Sequence, residues 1–462
     1  MLKLGLLNPL QKPNKAKGPA ENLRPIILLS VLRKTLAISM ISRIWNRLEE
    51  IIIIDQAAYQ QGRSTTEQVF TLKILCEKAI TTQDYEIIVL MLDMSKAFDT
   101  VNRVKLLNQL KEILKDDEMR MMDLLITDVL INVRVGSEIG EDIYTNIGVC
   151  QGDCLSAIIF IVYLSQAIKP LPKNTSREDH QIIWSDLDWL IDKDKHKVEL
   201  DPKYADDINF IRTDRSKIEM IKRVIPDMLR EADLIENNDK REEYVISLYQ
   251  EEKEKTWKKC KCLGTMLDTE EDINRRKSLA LGAKTTLKRI FRSRRLNQCT
   301  KIRIFEAYIS SIFLYNSELW TITIRLQKVI DSFQRRLLRE ILKIQWPKVI
   351  TNERLYEKTK TIPWSKKIRK RRLNWFGHLL RLNINTPARK ALNEFLKEDK
   401  KVQGGQKKTW LKIVLNDIRK NANLNLHRND KTAIERLIII CSDRKLWKNI
   451  VKHMMLQSAT DM

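Results

Sequence analysis

The chain has 462 residues, 43% of them hydrophobic and 31% charged, with a formal net charge of +24. That length allows two or three domains around a sizeable core, and the composition is that of a globular protein. The positive excess points to a polyanionic partner, while an odd count of seven cysteines without paired CxxC units, and only five histidines, argue against a disulfide framework, a zinc finger or a Ser-His-Asp triad.

The charge is divided along the chain. Residues 1–250 hold 34 Lys and Arg against 39 Asp and Glu, a net of −5, whereas residues 251–462 hold 50 against 21, a net of +29. The first half can therefore gather cations in carboxylates and the second can gather phosphates.

The opening MLKLGLLNPLQKPNK has too short an apolar run for a secretory signal. The longest apolar stretch, 155–168, is too short to span a bilayer. The chain is expected to be soluble and intracellular, with no membrane partner. Residues 12–22 read as a polar loop, and helical patterning runs from 31 to 51. The run EIIVLMLD (86–93) is apolar at nearly every position, as in a buried strand, and ends in Asp93. A helix is predicted over 95–114. Residues 143–149 read as a strand, Gly148 and Gly152 bracket a turn, and an apolar helix covers 155–168. A polar, acidic surface insertion is predicted over 172–203. YADDINFI (204–211) has the pattern of a hairpin with Asp206 and Asp207 at its turn. A helix over 215–236 and a strand over 244–250 follow. Beyond Asn274 the pattern is helical and basic, which gives an α+β class with a helical second part.

Asp93, Asp206 and Asp207 at strand ends suit nucleotidyl transfer, which uses two divalent cations about 4 Å apart. Mg²⁺ is hard and takes oxygen ligands, so carboxylates on adjacent strands suit it without His or Cys. A lone Asp-Asp pair is usually a solvated turn. Here LDMSKAFD lies upstream and a QGD turn lies between, in a fixed order.

These motifs resemble those of non-LTR (LINE-type) retrotransposon reverse transcriptases over nearly the whole chain. KPNK (12–15), NLRPI (22–26) and QAAYQQGRSTTEQ (56–68) resemble the fingers motifs. LDMSKAFDTV (92–101), GVCQGDCLS (148–156), YADD (204–207), ADLIENNDK (232–240) and CLG (262–264) resemble palm motifs A to E. The resemblance implies a right-hand polymerase with fingers at 1–92, palm at 93–268, helical thumb at 269–345 and a basic nucleic-acid-binding extension at 346–462. It implies an RNA template, a DNA primer, dNTP substrates and two Mg²⁺ ions, with Mn²⁺ as substitute.

By the same resemblance Asp93 and Asp206 hold the metals, and Asp207 joins their acidic cluster. Phe98 is a steric gate under the incoming sugar; its bland alternative is a core ring. Arg24 and Arg63 contact the triphosphate, since guanidinium matches phosphate oxygens bidentately. Gln151, Gly152, Tyr204 and Ala205 border the nucleotide, Lys240 is the candidate general acid, and Leu263 and Gly264 form the primer grip. In the carboxyl half, Lys366, Lys367, Arg369, Lys370, Arg371 and Arg372 cluster beside Trp364 and Trp375. Those indoles read equally well as stacking platforms for bases or as core. The same KKIRKRR run could serve nuclear import, so both nucleus and cytoplasm are open.

The chain departs from the family pattern where Cys150 replaces Arg, Cys154 and Ala157 replace prolines, and Ala58, Tyr59 and Gln60 replace Gly, Phe and a basic residue. Asp233 stands for Gly and Arg241 for Thr. The metal carboxylates are intact while their surroundings are eroded. No endonuclease constellation is visible, so polymerase capability is expected without one. The competing readings are a catalytically weak or silent nucleic-acid-binding protein derived from such an element, a maturase- or telomerase-like polymerase, and an interaction scaffold. Oligomeric state is not legible.

Overall fold

The computed structural model describes residues 2–12, 16–168, 198–251, 253–347, 349–397, 407–421 and 430–457. Residues 13–15 of the first fingers motif and most of the predicted insertion at 172–203 lie outside these. The chain forms two compact units, Met1–Thr65 with Ile88–Glu243, and Thr66–Ile87 with Tyr244–Met462. The boundary expected at 92/93 falls inside the first unit, and those at 268/269 and 345/346 fall inside the second.

In the first unit, β1 (Leu4–Gln11) and β2 (Leu23–Leu29) pair antiparallel, with Gly5 opposite Leu29. Ser30 then caps α1 (Val31–Glu49), its hydroxyl accepting the Arg33 N–H at 3.2 Å. After the excursion through α2 (Thr65–Ala79), the chain returns in β3 (Ile87–Leu92).

The helix predicted from 95 begins only at 103, as α3 (Arg103–Lys111). Lys96 takes a left-handed turn at φ 50°, and the Asn102 side chain accepts from the N–H groups of Val104 and Lys105. That cap starts the helix late and leaves Phe98 in a turn. α4 (Asp116–Ile126) leads into the hairpin β4 (Val129–Val135) and β5 (Glu138–Thr145). β4 also runs parallel to β1, completing a sheet ordered β2-β1-β4-β5. Only 143–149 read as strand in the sequence, because β5 is almost wholly exposed and shows no apolar alternation.

α5 (Cys154–Ala167) is buried along most of its length. Past the undescribed segment come β6 (Glu199–Leu200), β7 (Lys203–Tyr204) and β8 (Asp207–Arg212). β3, β6 and β7 all pair antiparallel with β8. α6 (Arg215–Glu231) packs its apolar face, including Ile218, Ile221 and Ile225, inward. A buried ion pair ties this unit together. The Arg33 guanidinium meets Asp153 Oδ2 at 3.1 Å and donates to the Leu125 carbonyl at 2.6 Å. Asp153 also caps α5 through the Leu155 N–H. Removing one partner of such a pair costs roughly 3–5 kcal/mol.

β9 (Glu242–Ile246) leads into the second unit, where β10 (Lys261–Cys262) and β11 (Thr265–Met266) form a small hairpin. The rest is helical. α7 (Thr269–Thr286), α8 (Lys288–Arg292) and α9 (Gln298–Ile304) are followed by a π turn at Phe305–Ser310. Then come α10 (Ile324–Leu342), α11 (Asn352–Thr359), α12 (Trp364–Arg381) and α13 (Pro387–Phe395). α14 (Trp410–Asn421), α15 (Asp430–Ser442) and α16 (Arg444–Gln457) close the chain. The core of this unit is aromatic. Trp364 stacks on Phe313 at 4.2 Å, and Phe70 of α2 meets Trp410 edge-on at 5.0 Å.

The α+β class holds, with antiparallel pairing around the acidic strand ends and helices beyond. No disulfide joins any of the seven cysteines. No helix among the described residues is long and apolar enough to cross a membrane.

The glycine of the α12 sequence WFGHLLR has a steric reason. A Cβ at Gly377 would lie 2.2 Å from Trp447 Nε1, which donates to the Leu373 carbonyl at 3.0 Å. Gly377→Ala should therefore destabilise the protein by about 1–3 kcal/mol. Gly282, mid-helix in α7 with open space around it, should give the opposite sign on Gly282→Ala, a gain of about 0.5–1 kcal/mol. Thermal unfolding of the two variants checks both; equal shifts would contradict the packing account.

Candidate active site

The β3–β8 ladder fixes the centre of the site. Leu92 lies opposite Ile208, so Asp93 leaves β3 where Asp206 and Asp207 enter β8. The turn between β7 and β8 is tight. Tyr204 pairs with Asp207, and Ala205 adopts a left-handed φ of 54°. A side chain from the second fingers motif holds this turn. Gln56 is buried, accepts the Ala205 N–H at 2.9 Å and donates to the Ala205 carbonyl at 3.3 Å. Its backbone neighbourhood follows β7, with Ala57 N donating to the Lys203 carbonyl at 2.9 Å. Nothing in the sequence pattern assigns Gln56 a role. The only signal was its place in the motif, since a buried amide clamp leaves no spacing pattern.

Asp93, Asp206 and Asp207 line a single cavity of about 1860 Å³ with Arg24, Phe98, Gln151, Gly152 and Lys240. Burial, and then the Asp93 charge, push the Asp206 carboxyl up from its ordinary range. Lys240 Nζ lies 2.5 Å from Asp93 Oδ2. It is held there because the 235–240 segment follows the end of β3, with Asn237 N donating to the Asp93 carbonyl at 2.8 Å and Ser95 N to the Ile235 carbonyl at 2.8 Å.

The turn of the QGD motif is positioned by close backbone approach. A Cβ on Gly152 would stand 2.7 Å from the Ile27 carbonyl oxygen, and Ile27 N donates to the Gln151 carbonyl at 2.7 Å. Gly152 thus lets β2, which carries Arg24, lie against the turn. Gln151 donates to Asp99 Oδ1 at 3.3 Å. Phe98 is half-buried and stacks on Phe160, ring centroids 4.6 Å apart, so one edge is core while the ring borders the cavity. Lys12, not singled out before, also lines the cavity and donates to the Glu21 carbonyl at 2.7 Å.

Other expected contacts lie elsewhere. Arg63 is not among the lining residues, and its guanidinium donates to the Ile54 carbonyl at 3.1 Å. Tyr204 and Ala205 shape the turn rather than the cavity wall. Leu263 and Gly264 belong to the second unit, where both take positive φ and close the β10–β11 hairpin. The Gly264 carbonyl accepts from Arg275 at 2.8 Å.

Trp364 and Trp375 are buried, which corrects their reading as stacking platforms. The aromatic contacts of the second unit's core take both indoles, Trp364 on Phe313 and Trp375 against Phe70 at 5.9 Å. Much of the basic run is also engaged within the unit. Arg372 and Arg369 meet Asp417 at 2.6 and 3.4 Å, Lys367 meets Glu306 at 2.5 Å, and Arg371 donates to the Leu314 carbonyl. Lys366 and Lys370 have no hydrogen bond or ion pair of their own among the described residues.

Among the described residues no three Asp, Glu, His or Cys side chains are close enough to hold a metal ion unaided. Asp207 lines the cavity without completing such a set. The donor chemistry still suits Mg²⁺, which is held by one or two carboxylates with water and substrate phosphates supplying the rest. The Lys240 ammonium against Asp93 marks a position where a cation is favoured.

A profile of the reverse transcriptase (RNA-dependent DNA polymerase) family matches residues 10–267, more than half the chain. The chain is 37% identical over 84 residues to a retrovirus-related Pol polyprotein from type-1 retrotransposable element R2 of Popillia japonica. That alignment covers 18% of this chain and 14% of the polyprotein. Among solved structures, telomerase from Candida tropicalis in complex with a TWJ fragment of telomeric RNA matches at 13% identity and a TM-score of 0.45, covering 94% of this chain and 64% of that one. Telomerase from Candida albicans with a TWJ fragment matches at 11% identity and a TM-score of 0.38, covering 95% and 64%. The chain thus spans less than two thirds of each.

Gln56→Leu leaves the Ala205 N–H and carbonyl without their buried partner, which should cost about 1–3 kcal/mol in stability. If Mn²⁺ raises the melting temperature of the wild type, the variant should show a smaller rise, because the Asp206 turn loses its clamp. Thermal unfolding with and without Mn²⁺ reads both effects; an unchanged metal-dependent rise would remove Gln56 from the site.

Proposed function

The chain belongs to the reverse transcriptase (RNA-dependent DNA polymerase) family, and on that premise we propose that it extends a DNA primer with dNTPs on an RNA template. The observation that carries this reading is the β3–β8 register, which brings Asp93 and Asp206 to one wall of a cavity that Arg24, Lys12 and Phe98 also line. The non-LTR retroelement assignment gains support from the R2 polyprotein relative.

In this reading Asp93 and Asp206 hold two Mg²⁺ ions, with Mn²⁺ as substitute, and Asp207 adds negative charge beside them. Bound there, the ions supply activation of the primer 3′-oxygen and neutralisation of the triphosphate. Arg24 and Lys12 take up further triphosphate charge, guanidinium bidentately and ammonium as a point charge. The Phe98 ring forms the floor beneath the sugar, where its stack on Phe160 stops it yielding to a 2′-hydroxyl. Gln151 and Gly152 border the nascent pair. Lys240, once parted from Asp93, protonates the leaving pyrophosphate. The chain's contribution is mainly alignment and charge placement rather than covalent chemistry.

Primer extension with purified protein on poly(rA)–oligo(dT), dTTP and Mg²⁺ or Mn²⁺ tests this. Wild type should extend and an Asp206→Asn/Asp207→Asn variant should not. Template binding without extension by either would leave a silent nucleic-acid-binding protein, the remaining reading.

Phe98→Val should raise the efficiency of ribonucleotide relative to deoxyribonucleotide incorporation by roughly tenfold or more, the scale set by steric exclusion in a fitted pocket. Competition between rUTP and dTTP measures it, and unchanged discrimination would return Phe98 to a packing role.

A further inference from the structure

The second unit holds most of the chain's positive charge, yet its densest run, 366–372, turns much of that charge inward. A different surface leaves it only partly compensated. On α10, Arg335, Arg336 and Arg339 line a cavity of about 490 Å³ that ends at Gln345 and Asn352. Arg339 is braced by Asn352 Oδ1 at 2.9 Å and Arg335 by Ser332 Oγ at 2.8 Å, so both guanidinium groups are oriented in advance.

Three carboxylates face them, one being Asp331, which lies in the field of Arg335 and accepts from the Ser365 N–H and hydroxyl. Glu340 lies 3.8 Å from Arg336 and is also drawn to Lys284, and Glu353 lies in the field of Arg335. Lys277 of α7 adds another cation, its ammonium pushed down by burial and then by the Arg336 charge. Cations gathered this closely around one cavity, with Glu340 already shared with Lys284, mark a place that favours an added anion.

Directly after Gln345 comes Trp346, which is 88% exposed. Trp257, Trp320, Trp364, Trp375, Trp410 and Trp447 are all buried. A bare indole one residue beyond the Gln345 end of the arginine cavity has no packing explanation. It matches what a polynucleotide offers, anionic oxygens for guanidinium and a flat base for the ring. In a duplex the base faces are already stacked on one another, so only an unpaired strand has one to give.

We propose that Arg335, Arg336, Arg339 and Trp346 form a binding site for single-stranded polynucleotide, with a backbone phosphate in the arginine cavity and a neighbouring unpaired base on the indole. RNA and DNA share this chemistry. The site goes beyond the polymerase reading and uses none of the carboxylates of the first unit.

Fluorescence anisotropy of the full chain in EDTA tests it independently of nucleotidyl transfer, which needs divalent ions. The probes are labelled oligo(rU), oligo(dT) and a blunt duplex, each of about 12 nucleotides, within the usual span of single-strand sites. Trp346→Ala and Arg336→Gln alter exposed side chains, the latter 58% exposed, so the fold is retained. Trp346→Ala should weaken single-strand binding about tenfold, the effect of one lost base stack, and leave the duplex within about twofold. Arg336→Gln should weaken the same probe and reduce the slope of log affinity against log salt by about 0.7, one phosphate contact. Loss on RNA alone assigns RNA, loss on DNA alone assigns DNA, and loss on both assigns either strand. Unchanged binding by both variants, or an equal loss on the duplex, would overturn the proposal.

Discussion

Like charges must be held side by side in a partly dry site before any metal is present, and the hydrogen-bond ladder between β3 and β8 holds them. Unit charges about 4 Å apart repel by about 4 kcal/mol at an effective dielectric near 20, and backbone must resist what side chains would avoid. The ladder and the Asn237 N–H on its carbonyl fix Asp93; Asp206 also needs its turn, and Gln56 grips that turn through both polar groups of Ala205. Gly152 then admits β2 against the QGD turn, and β2 brings Arg24 to the same cavity. Each support is a backbone approach or a buried amide, so the geometry depends little on exposed side chains.

The charge division of the sequence takes a different form in three dimensions. Acidic groups of the first unit converge, whereas basic groups of the second divide between interior pairing and open surface. Asp417 serves Arg369 and Arg372, and Glu306 serves Lys367. Those cations stabilise helix packing. The arginines of α10 instead keep their field, because Glu340 is shared with Lys284. Sequence density of Lys and Arg is therefore a poor guide to where phosphate would sit.

Legibility followed physical range. β3, α1, α5 and the β7–β8 hairpin were readable because local patterns of burial define them. Asp93 and Asp206 were readable because family motifs surround them. The late start of α3 was missed, since a one-residue cap at Asn102 overrides apolar spacing. β5 was mostly missed because it is exposed along nearly its whole length. Trp364 and Trp375 were balanced between two roles, and only packing against Phe313 and Phe70 decides for core. Gln56, Arg33 and Gly377 depend on partners more than 60 residues away in the chain. No window along the sequence contains both members.

The contact between Lys240 and Asp93 carries a kinetic implication. A tethered ammonium competes for the same oxygen that a divalent ion needs, and its local concentration does not fall on dilution. Lys240 is 62% exposed, and pairs so open to water are worth about 1 kcal/mol or less. Toward a divalent ion it would therefore be a weak resident competitor, easily displaced from Asp93. If a divalent ion were to bind Asp93, its arrival and the departure of the lysine would be a single exchange, and under the proposed reading the Lys240 ammonium would be freed only in molecules that hold the ion.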